Sequence, residues 1–368
     1  MPIKTTLKKP FYYLADRLFS ARYIQEKLWH VGKGLFVHPA PRVSLSPVPV
    51  QYRQASDQKP ALRLGPAPIF ITARFRSGST FLWQVFKNVD GVTCYYEPLN
   101  EARWFLLDRT TAPLDQTHIG VDDYRVEYEN MEDLAQWFET DWAYQRLYMD
   151  ETHHDPKLER YIAELIRRAN GRAVLQFNRV DFRLPWLRAH FPEARILHLY
   201  RHPREQWMSI LGKGARIGLD FEIGSSLDSS GDGFYTLEWA RDLRHVFPFL
   251  EPEGRHPYEL HYLLWRLSYS FGRAYSHMSV CYEEMIADFE NVFGTICEEM
   301  GLSGVDVARL AKLNHGKQVL RWPQYADDGW YKKLEHKCDR ELEIFFASTQ
   351  IAEIAEPDYG LRSTGAVA

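Results

Sequence analysis

The chain has 368 residues, of which 45% are hydrophobic and 26% are charged, and these proportions exclude a fibrous or wholly disordered protein. Its 45 basic and 49 acidic side chains give a formal net charge of −4 at pH 7, so no overall positive field supports a nucleic-acid partner, and we expect none. No apolar run reaches the ~20 residues that a membrane-spanning helix requires.

The N-terminal segment has the pattern of an amphipathic helix. Residues 1–34 contain seven Lys or Arg and two acidic residues, a net charge of +5, and their apolar residues fall near one face. A helix docked on the protein is the simpler interpretation, and peripheral contact with a membrane surface is the alternative. The four cysteines form no Cys-x-x-Cys pair, which is typical of a reduced compartment. We therefore expect a cytoplasmic protein, with the inner face of a membrane as a second location.

Five short apolar runs follow, and helical patterns separate them. They are rich in β-forming residues and span residues 69–73, 92–96, 172–177, 196–200 and 278–282. Continuous apolar strands that alternate with helices indicate a parallel sheet covered on both faces. The sequence thus predicts an α/β protein with a P-loop-like three-layer fold, in which helices flank a central parallel sheet. Ligands of such sheets bind beyond the carboxyl ends of the strands, where four of these five runs end in charged or hydroxyl residues.

The remaining segments define the predicted domain organisation. Insertions at residues 98–171 and 213–256 interrupt the alternation of strands and helices. The first is predicted to be mostly helical, as at residues 131–148, and the second, rich in Gly and Ser, is predicted to be a mobile loop. A helix is expected from the fifth strand through Glu299. The predicted parts are an N-terminal helix and Pro-rich connector at 1–66, an α/β domain at 67–320 and a C-terminal helical extension at 321–368.

A polar turn joins the first strand to the following helix. It reads Arg76-Ser77-Gly78-Ser79-Thr80, and the free backbone N–H groups and the dipole of the helix at this point would bind an anion. Gly78 lets a phosphate approach the backbone closely, and the three hydroxyl groups add donors. A Walker A loop is excluded, because Ser79 rather than a lysine follows Gly78. The alternative interpretation is a helix N-cap with incidental serines.

A second polar element follows the fourth strand. It reads Arg201-His202-Pro203-Arg204, and Ser209 lies eight residues after Arg201. Pro203 favours a helix start, which puts Arg201 at the strand end and Ser209 two turns into the helix, where both could reach one phosphate. A surface arginine and a helix serine are the alternative. His202 is expected to cap the helix, and Lys213 and Lys317 are further candidates for contact with a bound ligand.

Together the two elements resemble the sulfotransferase family that uses 3′-phosphoadenosine 5′-phosphosulfate. In that family the first loop cradles the 5′-phosphosulfate, and a strand ending in Arg-Asp-Pro-Arg, with a serine further on, holds the 3′-phosphate. His202 replaces the usual Asp here. Tyr96-Glu97-Pro98-Leu99 is closest to the carbohydrate and Golgi-type members, and Tyr282-Glu283-Glu284-Met285 is similar to a late segment whose tyrosine lies near the cofactor. The resemblance covers roughly residues 67–100, 172–212 and 277–302.

The resemblance implies a role for each candidate site residue. Glu97 is the expected general base for the proton of the acceptor hydroxyl, and its alternative role is a salt bridge to Arg76 or Arg179. Arg76 is expected to stabilise the charge that develops on the leaving phosphate. Arg179 would hold the sulfonate or the acceptor, or would instead form a structural ion pair. The residues expected to bind the donor are Arg76, Ser77, Gly78, Ser79, Thr80, Arg201, Ser209 and Tyr282.

The expected reaction is the transfer of a sulfuryl group to a hydroxyl of an acceptor. The resemblance around Glu97 favours a glycan, while a lipid, a peptide tyrosine and a small alcohol stay open, and no metal is expected to take part. Two other functions also stay open: a P-loop-type nucleotide kinase or NTPase, and a catalytically silent nucleotide-binding module. A kinase would need a lysine after Gly78, which is absent. A silent module would be expected to lack the base or the loop, and both are present.

Overall fold

The computed structural model describes residues 66–106, 118, 120–212, 217–224, 235–316 and 320–349. The predicted N-terminal helix, its membrane contact, Lys213 and Lys317 lie outside these residues. None of the helices in the described part of the chain is long and apolar enough to cross a membrane.

Five parallel strands form one sheet, as the sequence predicts. They are β1 (Ile69–Ala73), β2 (Val92–Tyr96), β3 (Arg172–Phe177), β4 (Arg195–Tyr200) and β5 (Met278–Cys281). Their order is β2-β3-β1-β4-β5, with Ile69 of β1 opposite Val174 of β3 on one side and Arg195 of β4 on the other. The first strand therefore lies at the centre, and the chain changes direction across the sheet between β1 and β4. Ligands bind at such a switch point in open α/β sheets.

Helices flank the sheet, so the predicted α/β fold is confirmed. In chain order they are α1 (Ser79–Lys87), α2 (Pro156–Arg168), α3 (Leu184–His190), α4 (Pro203–Leu211), α5 (Thr236–Leu243), α6 (Pro257–Tyr275), α7 (Tyr282–Ala287), α8 (Phe289–Met300), α9 (Val307–Ala311) and α10 (Asp328–Thr349). The helix predicted after residue 320 is present as α10. It is tied to α4 by Arg204, which pairs with Glu335 at 2.6 Å and with Asp328 at 2.7 Å.

The long helix α6 packs directly against strand β4. A Cβ atom on Gly272 of α6 would lie 2.3 Å from the ring of His198 in β4, so only a glycine allows this approach. His198 is 2% exposed, and burial lowers its pKa to about 3. The imidazole is therefore neutral in the core, where its Nδ1 lies 3.1 Å from the hydroxyl of Ser279.

The helical prediction for residues 131–148 is wrong. The chain forms two short 3₁₀ turns there, Glu132–Gln136 and Thr140–Ala143, and no α-helix. Distant side chains bind the backbone instead. The buried guanidinium of Arg183 donates to the carbonyls of Trp142, Gln145 and Arg146, and the carboxylate of Asp242 accepts from the amides of Arg146 and Leu147. These bonds replace the ladder of an α-helix, so tertiary contacts decide the conformation.

Two other boundaries differ from the prediction. The fifth strand ends at Cys281, and the helix expected through Glu299 is two helices that meet at Asp288, whose φ of −136° is not helical. The segment 213–256, predicted to be a mobile loop, contains α5, because Trp239 and Leu243 recur at helical spacing and are buried. Residues 225–234, which hold most of its Gly and Ser, lie outside the described residues.

Candidate active site

Side-chain hydrogen-bond donors bind the backbone carbonyls of the turn between β1 and α1. Its backbone carbonyls point to these donors: Arg74 O accepts from Ser77 Oγ at 2.6 Å, Phe75 O from Gln206 Nε2 at 2.5 Å, and Arg76 O from Arg201 Nη1 at 3.2 Å. Arg76 itself has a φ of 64°, an uncommon conformation for a residue with a side chain. Since the carbonyl oxygens are engaged elsewhere, they do not oppose an anion at the amide side of the turn.

Helix α1 begins at this turn without a cap. Gly78 is left-handed, with a φ of 94°, and no side chain bonds to the first amides of the helix. The first turn also contains no acidic residue. An α-helix leaves its first N–H groups without partners inside the helix, so these amides and the helix dipole form an anion site.

Tyr282 lies directly against the turn. A Cβ atom on Gly78 would lie 2.2 Å from the Tyr282 ring, so the tyrosine fills the space that any larger residue would need. The guanidinium carbon of Arg201 lies 4.9 Å from the centre of the same ring. Tyr282 thus contacts both the turn at Gly78 and the guanidinium of Arg201.

Arg201 and Ser209 adjoin this anion site. Arg76 Nε donates to Ser209 Oγ at 3.0 Å, which places Ser209 of α4 beside the first turn. Arg201 Nε lies 3.6 Å from a carboxylate oxygen of Glu283, and this nitrogen is buried and makes no hydrogen bond to the described residues. Burial raises the pKa of Glu283, although Arg201 acts in the opposite direction. The guanidinium therefore retains hydrogen-bonding capacity for a ligand.

His202 caps α4, as the sequence predicts. Its Nδ1 accepts from the amide of Arg204 at 3.3 Å, and its own amide donates to Glu283. Burial lowers the pKa of His202 to about 4. A neutral imidazole is required for this cap, because the accepting nitrogen must carry no proton.

Glu97 follows β2 directly, and its side chain is held in one orientation. Its φ is 38°, a conformation that costs free energy in a residue with a side chain. The Oε2 atom accepts from Asn100 Nδ2 at 2.5 Å and from Arg179 Nη1 at 3.3 Å. The residue is 9% exposed and lines the cleft described below.

Arg179 is buried between two carboxylates. Its guanidinium pairs with Glu97 and, at 2.7 Å, with Glu101, and it lies 4.9 Å above the ring of Phe75. Burial opposes the charge on Arg179, but the two carboxylates outweigh it and raise the pKa. Burial likewise opposes the charge on Glu101, and here Arg179 and the hydroxyl of Tyr235 outweigh it and lower the pKa. Of the two partners that the sequence suggests for Glu97, the structure places Arg179 in the salt bridge.

A cleft of about 270 Å³ brings most of the candidate residues together. The side chains of Ser77 and Arg179 do not line it, since Ser77 bonds to the turn and Arg179 is enclosed by carboxylates. Among the described residues, no group of three His, Cys, Asp or Glu side chains is placed to hold a metal ion. The candidate residues that line the cleft are Arg76, Gly78, Ser79, Thr80, Glu97, Arg201, Ser209 and Tyr282.

Sequence reasoning missed a polar network at the edge of the cleft. The hydroxyl of Thr80 lies 3.0 Å from that of Tyr96 and 3.2 Å from Nε2 of His118, whose Nδ1 pairs with the hydroxyl of Tyr124. The rings of Tyr96 and Tyr124 stack with their centres 4.5 Å apart. His118 comes from the insertion after β2, so no local signal connected it with Thr80.

Other lining residues also carried little signal. In the sequence, Asn178, His315 and Gly316 belong to none of the motifs that predict the site. The apolar lining comes from both sides of the turn, at Phe75 and Phe81, and from Ile286 and Leu313, which are remote in sequence. The remaining lining residues are Phe75, Phe81, Gln84, Ile286 and Leu313.

The chain matches one family model over more than half of its length. The model, described as the sulfotransferase family, covers residues 68–306. No curated protein gives a significant match. Among solved structures, the chain is similar to sulfotransferase STF9 from Mycobacterium avium, with 16% identity, a TM-score of 0.42 and 79% of each chain covered. It is also similar to the sulfotransferase domain of the Synechococcus PCC 7002 olefin synthase, with 17% identity, a TM-score of 0.36, and 80% of this chain and 98% of that chain covered.

Proposed function

The chain belongs to the sulfotransferase family and is a sulfotransferase enzyme, and from this premise we propose that its donor is 3′-phosphoadenosine 5′-phosphosulfate and its acceptor a hydroxyl of a glycan. The observation that carries the donor assignment is the placement of Arg76 and the uncapped turn of α1 beside Arg201 and Ser209 in one cleft. A nucleotide with phosphates at two positions needs two adjacent anion sites, and the residues fit this requirement.

The residues of the turn hold the 5′ side of the donor. When bound, this donor supplies a sulfuryl group whose bond to a phosphate oxygen breaks as a bond to the acceptor oxygen forms. Arg76 and the amides of Ser79 and Thr80 stabilise the negative charge on that phosphate oxygen. Charged and backbone donors aimed at developing charge are typically worth ~100–1,000-fold in rate each.

Arg201 and Ser209 hold the 3′-phosphate in this proposal. The Arg201 guanidinium is kept in place by the ring of Tyr282, by Glu283 and by the carbonyl of Arg76. Its Nε atom is buried without a hydrogen bond to the described residues, and a phosphate oxygen would satisfy it.

Glu97 takes the proton of the acceptor hydroxyl. Its Oε2 atom is engaged by Asn100 and Arg179, and neither bond involves Oε1. The alternative role, a salt bridge to Arg179, is compatible with that of a base, because the bridge orients the carboxylate that faces the cleft. A positioned general base typically contributes about 100–10,000-fold to a rate.

A glycan acceptor is supported by the sequence around this base. Tyr96-Glu97-Pro98-Leu99 resembles the carbohydrate members of the family.

Calorimetric titration tests the donor assignment. We expect micromolar binding of adenosine 3′,5′-bisphosphate and little binding of ATP with Mg²⁺. Arg201→Ala should weaken the bisphosphate at least tenfold while changing the affinity for adenosine 5′-phosphate less than twofold, because a charge-assisted hydrogen bond is worth about 1.5–3 kcal/mol. Arg309→Ala, which removes a half-exposed arginine remote from the cleft, is the control. Preferential binding of ATP would instead support the kinase alternative.

Substitution of Glu97 tests the base. Glu97→Gln keeps the shape of the side chain but cannot accept the proton, so we expect kcat on a panel of glycan acceptors to fall ~100-fold or more. Affinity for the bisphosphate should stay within about twofold of the wild type. Unchanged turnover would show that Glu97 is not the base. Transfer only to lipid or phenolic acceptors would contradict the proposal of a glycan acceptor.

A further inference from the structure

The roles assigned so far leave the transferred sulfonate without a side chain that donates a hydrogen bond to it. Arg179 is the cation that the sequence offers for this task, but both ends of its guanidinium are engaged by Glu97 and Glu101. Its side chain is 3% exposed and does not line the cleft. Moving it into the cleft would leave two carboxylates without their partner, which is costly for groups this buried.

Asn178, the preceding residue, does line the cleft. Its Oδ1 atom accepts from Nη1 of Arg179. An arginine can only donate, so the atom of the amide that faces it must be the oxygen, and the Nδ2 group is turned away from Arg179. Asn178 is 2% exposed, and its Nδ2 group makes no hydrogen bond to the described residues. This N–H group therefore faces the cleft, where an acceptor oxygen of a ligand can bind it.

The order of the strands places Asn178 between the general base, Glu97, and the turn that binds the leaving phosphate. Glu97 follows β2, Asn178 follows β3, and the turn of Arg76 follows β1, and these three strands are neighbours in that order. In the proposed function the acceptor oxygen lies at Glu97 and the leaving phosphate at the turn. The transferred group must lie between them, which is the position opposite the end of β3.

We propose that Asn178 is a catalytic residue that donates an Nδ2–H hydrogen bond to a sulfonate oxygen of the donor, and that Arg179 is the positioning residue that fixes its amide. The inference rests on the proposed function, since it needs a sulfonate in the cleft. An amide suits this position, because a neutral donor binds the sulfonate oxygens without forming an ion pair that the transfer would have to break. The charge of Arg179 remains with Glu97 and Glu101.

Equilibrium binding of two nucleotides tests the proposal without an acceptor. The probes are 3′-phosphoadenosine 5′-phosphosulfate, which carries the sulfonate, and adenosine 3′,5′-bisphosphate, which lacks it. Asn178→Ala should lower the affinity for the phosphosulfate about tenfold, as expected for loss of a hydrogen bond to a charged group. It should lower the affinity for the bisphosphate less than twofold. Asn170→Ala, an exposed asparagine near the opposite end of β3, is the matched control and should change neither.

Asn178→Asp covers the case in which the alanine variant does not fold. It keeps the shape of the side chain and the oxygen that faces Arg179, but replaces the N–H donor with a second oxygen. We expect native thermal stability, native affinity for the bisphosphate and at least a tenfold loss for the phosphosulfate. Equal weakening of both nucleotides would show a structural role, and native affinity for the phosphosulfate would remove Asn178 from contact with the sulfonate. If the wild type binds neither nucleotide, the proposed function fails, and this inference fails with it.

Discussion

Gly78 and Gly91 have similar backbone conformations but different surroundings. Their φ angles are +94° and +74°, so a side chain would strain the backbone at either position. A Cβ atom at Gly78 would collide with the ring of Tyr282, whereas nothing lies within 4 Å of one at Gly91. The two positions therefore separate the cost of the conformation from the cost of the contact.

We expect Gly91→Ala to lower the free energy of unfolding by about 1–2 kcal/mol, the cost of a left-handed residue with a side chain, and to leave nucleotide affinity unchanged. Gly78→Ala should destabilise more and should also weaken adenosine 3′,5′-bisphosphate more than tenfold, because displacement of Tyr282 disturbs Arg201. Urea unfolding and calorimetry measure both effects. Native affinity in Gly78→Ala would contradict this account.

At the residue scale, the sequence indicated which residues lie at the candidate site but not which way their side chains point. Arg76, Glu97 and Arg201 were found from the sequence because they end strands of a parallel sheet, and the ends of such strands meet at one edge. The difference between Asn178 and Arg179 was not predictable. It depends on Glu101, 78 residues before Arg179, and on Tyr235, whose hydroxyl reaches Glu101 from 134 residues further along the chain.

Helices α6 and α8 each contain a glycine in their second half or middle, and only the glycine of α6 is required for packing. Gly272 in α6 faces the ring of His198, and Gly294 in α8 has nothing within 4 Å of the position of a Cβ atom. Neither has a left-handed φ, so backbone strain plays no part. We expect Gly294→Ala to raise the free energy of unfolding by up to about 1 kcal/mol through helix propensity.

The same substitution at Gly272 should have the opposite sign. Gly272→Ala forces α6 away from β4 or His198 out of its place, and such overpacking costs about 1–3 kcal/mol. Urea midpoints of the two variants provide the comparison. Stabilisation by both would show that the contact between α6 and β4 is loose.

Among the elements, the buried strands were predictable and the insertions were not. Each strand is a continuous apolar run, and it pairs with its neighbours through backbone hydrogen bonds rather than specific side chains. The run itself is therefore enough to predict the strand. The segment around Trp142 has helical apolar spacing, but its backbone bonds to Arg183 and Asp242. A local pattern cannot reveal partners that are 41 and 95 residues away.

At the scale of the whole molecule, buried histidines make stability depend on pH. Burial lowers the pKa of His198 and of His261 to about 3 and that of His202 to about 4, against about 6.5 in the unfolded chain. Between pH 4 and 6.5 these three histidines therefore bind more protons in the unfolded chain than in the native protein. Their contribution to the free energy of unfolding therefore falls as the pH is lowered through this window.

We expect each fully buried histidine to account for about 2 kcal/mol of the loss between pH 7 and 5. His261→Gln isolates one of them, because a glutamine amide can still donate to the carbonyl of Pro203, which His261 Nε2 contacts at 3.0 Å. Its urea midpoint should depend less steeply on pH than that of the wild type. A carboxyl group whose pKa is raised by burial, such as Asp181, acts in the opposite direction and is common to both proteins. Identical slopes would contradict the assignment.

The hydrogen bond from Arg76 to Ser209 and the one from Arg201 to the carbonyl of Arg76 have a consequence for donor choice. In the proposed assignment, the two ligands of the 3′-phosphate hold the side chain and the backbone of the residue that faces the leaving group. A cell offers many adenine nucleotides without a 3′-phosphate, and we expect the turn alone to bind these weakly. Both bonds are present without a ligand, and only a nucleotide with a 3′-phosphate would add its own bonds to Arg201 and Ser209 and so hold Arg76 more firmly. The enzyme would then discriminate between nucleotides in the rate of reaction as well as in affinity, and an abundant competitor would be bound unproductively and released.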